Sequence, residues 1–104
     1  MLQGVKTKVM VRDVEQWGNV RLAPEELMRR AFSYIDQADM VVLECTEKGV
    51  GLGIEAGYAR AKNKPLFLVA RTGTDISVTA QGIATKVIFY NEPEEWEGFD
   101  LTVA

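Results

Sequence analysis

The chain has 104 residues, of which 47% are hydrophobic and 26% charged, and its formal net charge is −3. This length and composition predict one globular domain spanning residues 1–104. The acidic balance, with no basic face, argues against nucleic acid as a partner. No apolar run approaches the length of a membrane span, and the N-terminus lacks the pattern of a signal peptide. We therefore expect a cytoplasmic protein with no membrane association.

Two residue counts restrict the chemistry further. Cys45 is the single cysteine, and the chain contains no histidine. An internal disulfide is therefore impossible, and triads that need an imidazole are excluded together with most zinc sites. Because Cys45 lies inside an apolar run and has no histidine to activate it, we predict a small buried side chain in a reducing compartment.

The first half of the chain alternates between strand and helix patterns. "KVMVR" at 8–12 predicts a short strand, and "APEELMRRAFSYIDQA" at 23–38 predicts a helix with Pro24 at its first position. The continuous apolar run "DMVVLECT" at 39–46 is typical of a strand buried on both faces. After a glycine-rich loop, "IEAGYARAKN" at 54–63 predicts a second helix.

The second half continues this alternation. "KPLFLVAR" predicts another buried strand, "TDISVTAQGIA" a short helix capped by Thr74 or Asp75, and "KVIFYN" a last strand. The tail predicts a partial helix around Trp96. Strands and helices that alternate with short connections indicate an α/β fold with a parallel sheet and right-handed crossovers.

The candidate site follows from this topology. Parallel sheets of this kind bind ligands beyond the carboxyl ends of their strands. One loop reaches that edge after Glu44, and another runs from Arg71 to Ser77, so we expect both to face one crevice. The first of these loops leads into "GVGLGIEAGYARAKNKP", where four glycines surround a single acid, Glu55.

Three interpretations of this glycine-rich stretch are open. In the first, Gly57 and nearby alanines let the helix pack closely on the sheet. In the second, the glycines bind a dinucleotide, but the spacing Gly51-x-Gly53-x-x-x-Gly57 differs from G-x-G-x-x-G. In the third, Glu55 lies in the first helical turn, where the positive helix end keeps it ionised. It would then attack or stabilise an electron-poor carbon, such as the anomeric carbon of a sugar.

The segment "ADMVVLECTEKGVGLGIEAGYARAKNKPLFLV" resembles the nucleoside 2-deoxyribosyltransferase superfamily. The shared pattern is Ala-Asp, an apolar strand ending in an acid, a loop, Gly-x-x-x-Glu-x-Gly-x-Ala, and Lys-Pro before the next strand. Within the superfamily it is most similar to the 2′-deoxynucleoside 5′-monophosphate N-hydrolases. The resemblance covers residues 35–90 and implies a flavodoxin-like, Rossmann-like sheet with flanking helices.

The resemblance also implies a function. Glu55 would be the nucleophile that forms a glycosyl-enzyme, and Glu44 would orient the sugar or assist proton transfer. Gly51, Gly53 and Ser77 would surround a phosphate. The implied activity is cleavage or transfer of the N-glycosidic bond of a 2′-deoxynucleoside or its 5′-monophosphate, with no metal and no cofactor. Hydrolysis and base exchange both remain open, and the implied partner is a small-molecule nucleoside or nucleotide.

Departures from the family pattern keep a second interpretation open, a non-catalytic nucleotide-binding or regulatory domain of the same fold. Nothing before Lys8 supplies the family's first strand and its glycine-containing loop. Ala31 stands where the family has an aspartate, and Gly49 where the hydrolases have a serine. Because a sheet lacking a strand exposes an apolar edge or face, we expect a homodimer or larger assembly. An NAD(P)-binding module, with Arg71 near a 2′-phosphate, is a third possibility.

Overall fold

The structure, a computed structural model, describes residues 8–12 and 22–101. The strands among them are β1 (Val9–Arg12), β2 (Met40–Glu44), β3 (Leu66–Arg71) and β4 (Lys86–Tyr90). The helices are α1 (Pro24–Gln37), α2 (Val50–Ala61) and α3 (Val78–Ile83), followed by a 3-10 helix at Pro93–Gly98. None of these described helices is long and apolar enough to cross a membrane.

The strands form one parallel sheet in the order β1-β2-β3-β4. The predicted α/β fold with a parallel sheet is therefore confirmed.

In the flavodoxin order 2-1-3-4-5, the strand that pairs with the third is the first. Because β1 pairs directly with β2, with Val9 opposite Met40, β1 occupies the place of that first strand. Within the described residues, the strand that the sheet lacks is thus the one that would lie outside β1, a different position from the one that the sequence suggested.

The larger part of the core lies between the helices and one face of the sheet. Each connection leads to the adjacent strand, always in the same direction across the sheet. Right-handed crossovers of this kind place all three helices on the same face. Side chains alternate along a strand, so every second strand residue points to this face. The buried contacts there include Ile35, Val41, Leu43, Ala56, Ala59, Leu66 and Leu68.

The C-terminal segment covers the opposite face. Val42, Phe67 and Val69 are buried there, and Trp96 and Phe99 pack against them. The rings of Trp96 and Phe99 stack with 5.7 Å between their centres. The partial helix expected around Trp96 is confirmed as a 3-10 helix, and it closes a second, smaller core.

Two helices start at residues that differ from the sequence prediction. Helix α2 begins at Val50, after Gly49, which is four residues earlier than predicted. Glu55 therefore lies in the second turn, and the first turn contains no acid. Leu52 and Ala56 pack on the core, and this tertiary packing overrides the low helix propensity of Gly51 and Gly53. Helix α3 begins later than predicted, after Ser77, which occupies the capping position expected for Thr74 or Asp75.

Candidate active site

A cavity of about 410 Å³ lies between α2 and α3 at the carboxyl ends of β2 and β3. Its volume falls within the range of about 300–1,000 Å³ that is usual for small-molecule sites. The loops after β2 and β3 both line it, as the sequence predicted. Among the described residues that line it, those in the interior are apolar, and the exposed polar ones lie in the two loops and at the start of α3. The polar lining residues are Glu47, Lys48, Ser77 and Thr79.

The residues predicted to hold phosphate are only partly brought together. Gly53 and Ser77 line the cavity, together with Gly49, whereas Gly51 is not among the lining residues. The Ser77 hydroxyl makes no capping bond to α3 and lies 2.7 Å from the Thr79 hydroxyl. Ser77 therefore presents an exposed hydroxyl pair at the cavity and does not serve as a helix cap through its side chain.

Packing does not explain two glycines of α2, Gly53 and Gly57. Apart from its chain neighbours and the backbone of the helix itself, a Cβ atom added at Gly53 or at Gly57 would meet no atom within 4 Å. Gly57 is exposed, so the interpretation that it lets the helix approach the sheet is wrong. Since glycine in a helix interior costs about 1 kcal/mol relative to alanine, the fold alone would favour alanine at both positions. At Gly53 the missing side chain enlarges the cavity.

Glu55 is buried, with 2% of its surface exposed. It belongs to the large, fully buried side chains of the described residues, and the other members of that group are apolar. Burial of a carboxylate is unfavourable unless other interactions compensate it. A buried acid beside a ligand-sized cavity is therefore a candidate functional group.

The position of Glu55 on α2 places it next to this cavity. It lies three residues after Leu52 and directly before Ala56, both of which line the cavity. Three residues further along the helix, the ring of Tyr58 stacks on Phe32 of α1 at 4.2 Å. Glu55 thus lies on the side of α2 between the cavity and α1, and its own side chain is not part of the cavity lining.

Glu44, the last residue of β2, has a different environment. Its carboxylate accepts hydrogen bonds from the Thr46 backbone N–H at 2.6 Å, from the Thr46 hydroxyl at 2.5 Å, and from the Tyr90 hydroxyl. It shares a strand face with Val42, which contacts the C-terminal segment. Glu44 and α2 therefore lie on opposite faces of the sheet, and the two acids predicted to act together are separated by it.

The hydrogen bonds of Glu44 join three strand ends. The Thr46 hydroxyl accepts a bond from the Arg71 backbone N–H at 3.0 Å, which connects the network to β3. Burial raises the pKa of Tyr90, and its hydrogen bond to the Glu44 carboxylate raises it further. The phenol therefore stays neutral and keeps its donor proton. The Arg71 side chain donates a hydrogen bond to the Asn91 carbonyl at 3.2 Å and lies over the Tyr90 ring. It therefore connects the ends of β3 and β4.

Two other residues carry no reactive group into the site. Burial, and then the charge of Glu44, raise the pKa of the Cys45 thiol from 9.0 to about 11. The thiol is therefore neutral at physiological pH and a poor nucleophile. Ala31, which replaces the aspartate of the family pattern, is 1% exposed in α1 and offers no proton donor.

The sequence placed Thr46 and the loop with Asp75 at this edge but did not predict two sets of interactions there. Thr46 and Tyr90 satisfy Glu44, and Lys48 forms an ion pair with Asp75 at the edge of the cavity, with 3.4 Å between Nζ and Oδ2. Their positions in the sequence could have indicated these interactions, because Thr46 and Lys48 follow the end of β2, and Tyr90 is the last residue of β4.

Comparison with known proteins gives a fold match. No family model matches the sequence, and no curated protein does. The fold is similar to that in a solved structure of Clostridium botulinum CMP N-glycosidase, BcmB, with a TM-score of 0.65 and 15% sequence identity. The similarity covers 85% of this chain and 92% of that chain. At 15% identity, this similarity shows a common fold.

Proposed function

We propose that the protein cleaves or transfers the N-glycosidic bond of a 2′-deoxynucleoside or its 5′-monophosphate, with Glu55 as the nucleophile. The observation that carries this proposal is a buried carboxylate on α2 beside a ligand-sized cavity at the carboxyl edge of the sheet. The similarity of the fold to that of a CMP N-glycosidase supports it.

The proposed reaction has two steps at C1′ of the deoxyribose. In the first step, a carboxylate oxygen of Glu55 forms a bond to C1′ while the C1′–N bond breaks. The electron pair of the C1′–N bond leaves with the base, and the base takes a proton from water. In the second step, water attacks C1′, releases a proton to solvent and returns Glu55 as a carboxylate. In base exchange, a nitrogen of a second base replaces that water.

The surroundings of Glu55 suit this chemistry. Positive charge develops at C1′ in the oxocarbenium-like transition state. A carboxylate removed from bulk water attracts this charge more strongly than an exposed carboxylate does. Gly49 and Gly53, which have no side chains, leave space for the sugar to approach α2.

Glu44 is a positioning residue in this proposal. Its carboxylate is bonded to Thr46 and Tyr90, which fix the start of the loop between β2 and α2. That loop contributes Lys48 and Gly49 to the cavity. Glu44 would therefore affect the reaction through the shape of this loop.

A non-catalytic nucleotide-binding domain is the second candidate function. The observation that favours it is Ala31, whose buried methyl group replaces the aspartate implied by the resemblance. A general acid or base contributes about 10²–10⁴-fold to a rate. A chain without one is expected to turn over slowly or to bind without reaction.

Release of free base distinguishes the two candidates. The full chain is incubated with the four common 2′-deoxynucleosides and their 5′-monophosphates, and the products are separated by chromatography. The proposal predicts free base above the rate without protein. Nucleotide binding measured by calorimetry, without any base release, would establish the non-catalytic alternative.

The proposal includes a homodimer in the cytoplasm. Among the described strands β1 is at an edge, and its Val9 and Val11 side chains are 43% and 38% exposed. Exposed valines on an edge strand favour contact with a second copy. Light scattering tests this, and a monomer at micromolar concentration would contradict it.

A further inference from the structure

An ion pair joins the two loops at the opening of the cavity. Lys48 follows β2 and Asp75 follows β3, and their charged atoms are 3.4 Å apart. Lys48 is a cavity-lining residue, whereas Asp75 is 94% exposed and lies just outside the lining. The charged end of Lys48 is thus already paired with a carboxylate where a ligand would enter.

The lining offers little else to an anion. Among the described residues that line the cavity, Lys48 is the one basic residue, and Glu47 is acidic. Together with Asp75, these described residues give the opening one positive and two negative charges. Ser77 and Thr79 contribute neutral hydroxyls, and the interior is lined by side chains such as Leu43, Leu52, Ala56, Leu68, Ile76 and Ile83. A phosphate dianion would enter an opening with a net negative charge and an apolar interior, which is unfavourable.

We propose that the Lys48–Asp75 pair makes this cavity select uncharged 2′-deoxynucleosides over their 5′-monophosphates. This inference rests on the proposed function, because it assumes that a nucleoside enters this cavity. Asp75 acts in two ways. Its carboxylate pairs with the Lys48 ammonium group, which is then not available to a phosphate, and its own negative charge repels a phosphate. Asp75 is thus a specificity-determining residue, although it belongs to no part of the reaction.

The size of the effect follows from exposure. Both side chains are mostly in water, where an ion pair and a single charge repulsion each change an equilibrium modestly. Asp75→Asn is therefore expected to strengthen binding of the monophosphate about three- to tenfold. Binding of the nucleoside is expected to stay unchanged. Adding Lys48→Gln to Asp75→Asn is expected to remove the gain, because the released ammonium group is then absent.

The experiment compares dissociation constants of the full chain for 2′-deoxycytidine and 2′-deoxycytidine 5′-monophosphate. Calorimetry at low ionic strength limits screening of the charges, and free base is measured in the same samples. Glu94→Gln removes one exposed negative charge from the 3-10 helix and controls for net charge. It is expected to leave the ratio of the two constants unchanged.

The inference requires tighter binding of the nucleoside by the wild type and a shift toward the monophosphate in Asp75→Asn. Tighter binding of the monophosphate by the wild type would overturn it, and so would an unchanged ratio in Asp75→Asn. Binding of neither compound would also overturn it. If the two dissociation constants have the expected ratios but no free base is released, the selectivity is supported and the proposed catalysis is contradicted. A failure of the selectivity and a failure of the catalysis are therefore distinguishable.

Discussion

Two acidic side chains are buried among the described residues, and the sheet lies between them. Glu44 accepts hydrogen bonds from Thr46 and Tyr90 on the face covered by the C-terminal segment. Glu55 lies on the helical face, among helix residues that line a cavity. Burial alone therefore does not identify a functional acid. The two acids differ in their neighbours: the hydrogen bonds of Glu44 fix three strand ends, whereas Glu55 lies on a helix whose adjacent residues Leu52, Gly53 and Ala56 line the cavity.

The glycine pattern sharpens this contrast. The helix that carries Glu55 contains glycines at positions where a methyl group would fit, although glycine weakens a helix. The strand that carries Glu44 contains apolar residues that are buried on both faces. Stability explains the sequence around Glu44, whereas the sequence around Glu55 departs from what stability alone favours.

Replacement of the two acids gives the largest expected difference. Glu55→Gln keeps the shape of the side chain but removes the nucleophile, so we expect the rate of base release to fall about 10³-fold or more. The matched variant Glu44→Gln is expected to retain the rate within about tenfold, because it acts only through the loop. Single-turnover base release measures both, and circular dichroism checks the fold. Equal losses in the two variants would remove the distinction between the acids.

The Glu44 network is expected to affect stability more than chemistry. Tyr90→Phe removes one donor, and we expect the free energy of unfolding to fall by about 1–2 kcal/mol in urea titrations. Glu44→Gln is expected to cost about 1–3 kcal/mol, since it disturbs several bonds. The double variant should lose less than the sum of the two, because both changes break the same bond. Strict additivity would show that the Tyr90–Glu44 bond contributes nothing.

Two alanine substitutions in α2 give the smallest expected effect and a matched pair. Gly53→Ala and Gly57→Ala should each raise the free energy of unfolding by up to about 1 kcal/mol. Gly53→Ala alone is expected to weaken nucleoside binding, because its methyl group enters the cavity, whereas Gly57 lies outside it. Urea titration and calorimetry measure the two properties separately. Weaker binding in Gly57→Ala would mean that the cavity is not the relevant space.

The sequence predicted the strands and the sheet because each strand is an apolar run bounded by polar residues. It placed the start of α2 too late because glycine propensity opposed a helix that packing of Leu52 and Ala56 stabilises. The face of Glu44 was partly predictable, since alternation puts it with Val42 and opposite Leu43. Its partner was not, because Tyr90 lies 46 residues further along the chain.

The cavity itself was only partly predictable. Parallel topology brings the loops after β2 and β3 to one edge, and this placed Gly53 and Ser77 near each other. Sequence spacing could not show that Gly51 turns away from the cavity, because that depends on where the helix begins. The Lys48–Asp75 pair depends on the conformations of two loops, which carry no periodic pattern.

Detection of the covalent intermediate tests the role of Glu55 most directly. With a 2′-fluoro-arabinonucleoside as substrate, hydrolysis of the glycosyl-enzyme is slow, because fluorine destabilises the positively charged transition state. The protein is incubated with this compound, digested and mapped by mass spectrometry. If Glu55 is the nucleophile, the base is released and a glycosyl adduct forms on Glu55, and this adduct is absent in Glu55→Gln. An adduct on Glu44 or another residue, or base release from the natural nucleoside that persists in Glu55→Gln, would contradict this role of Glu55.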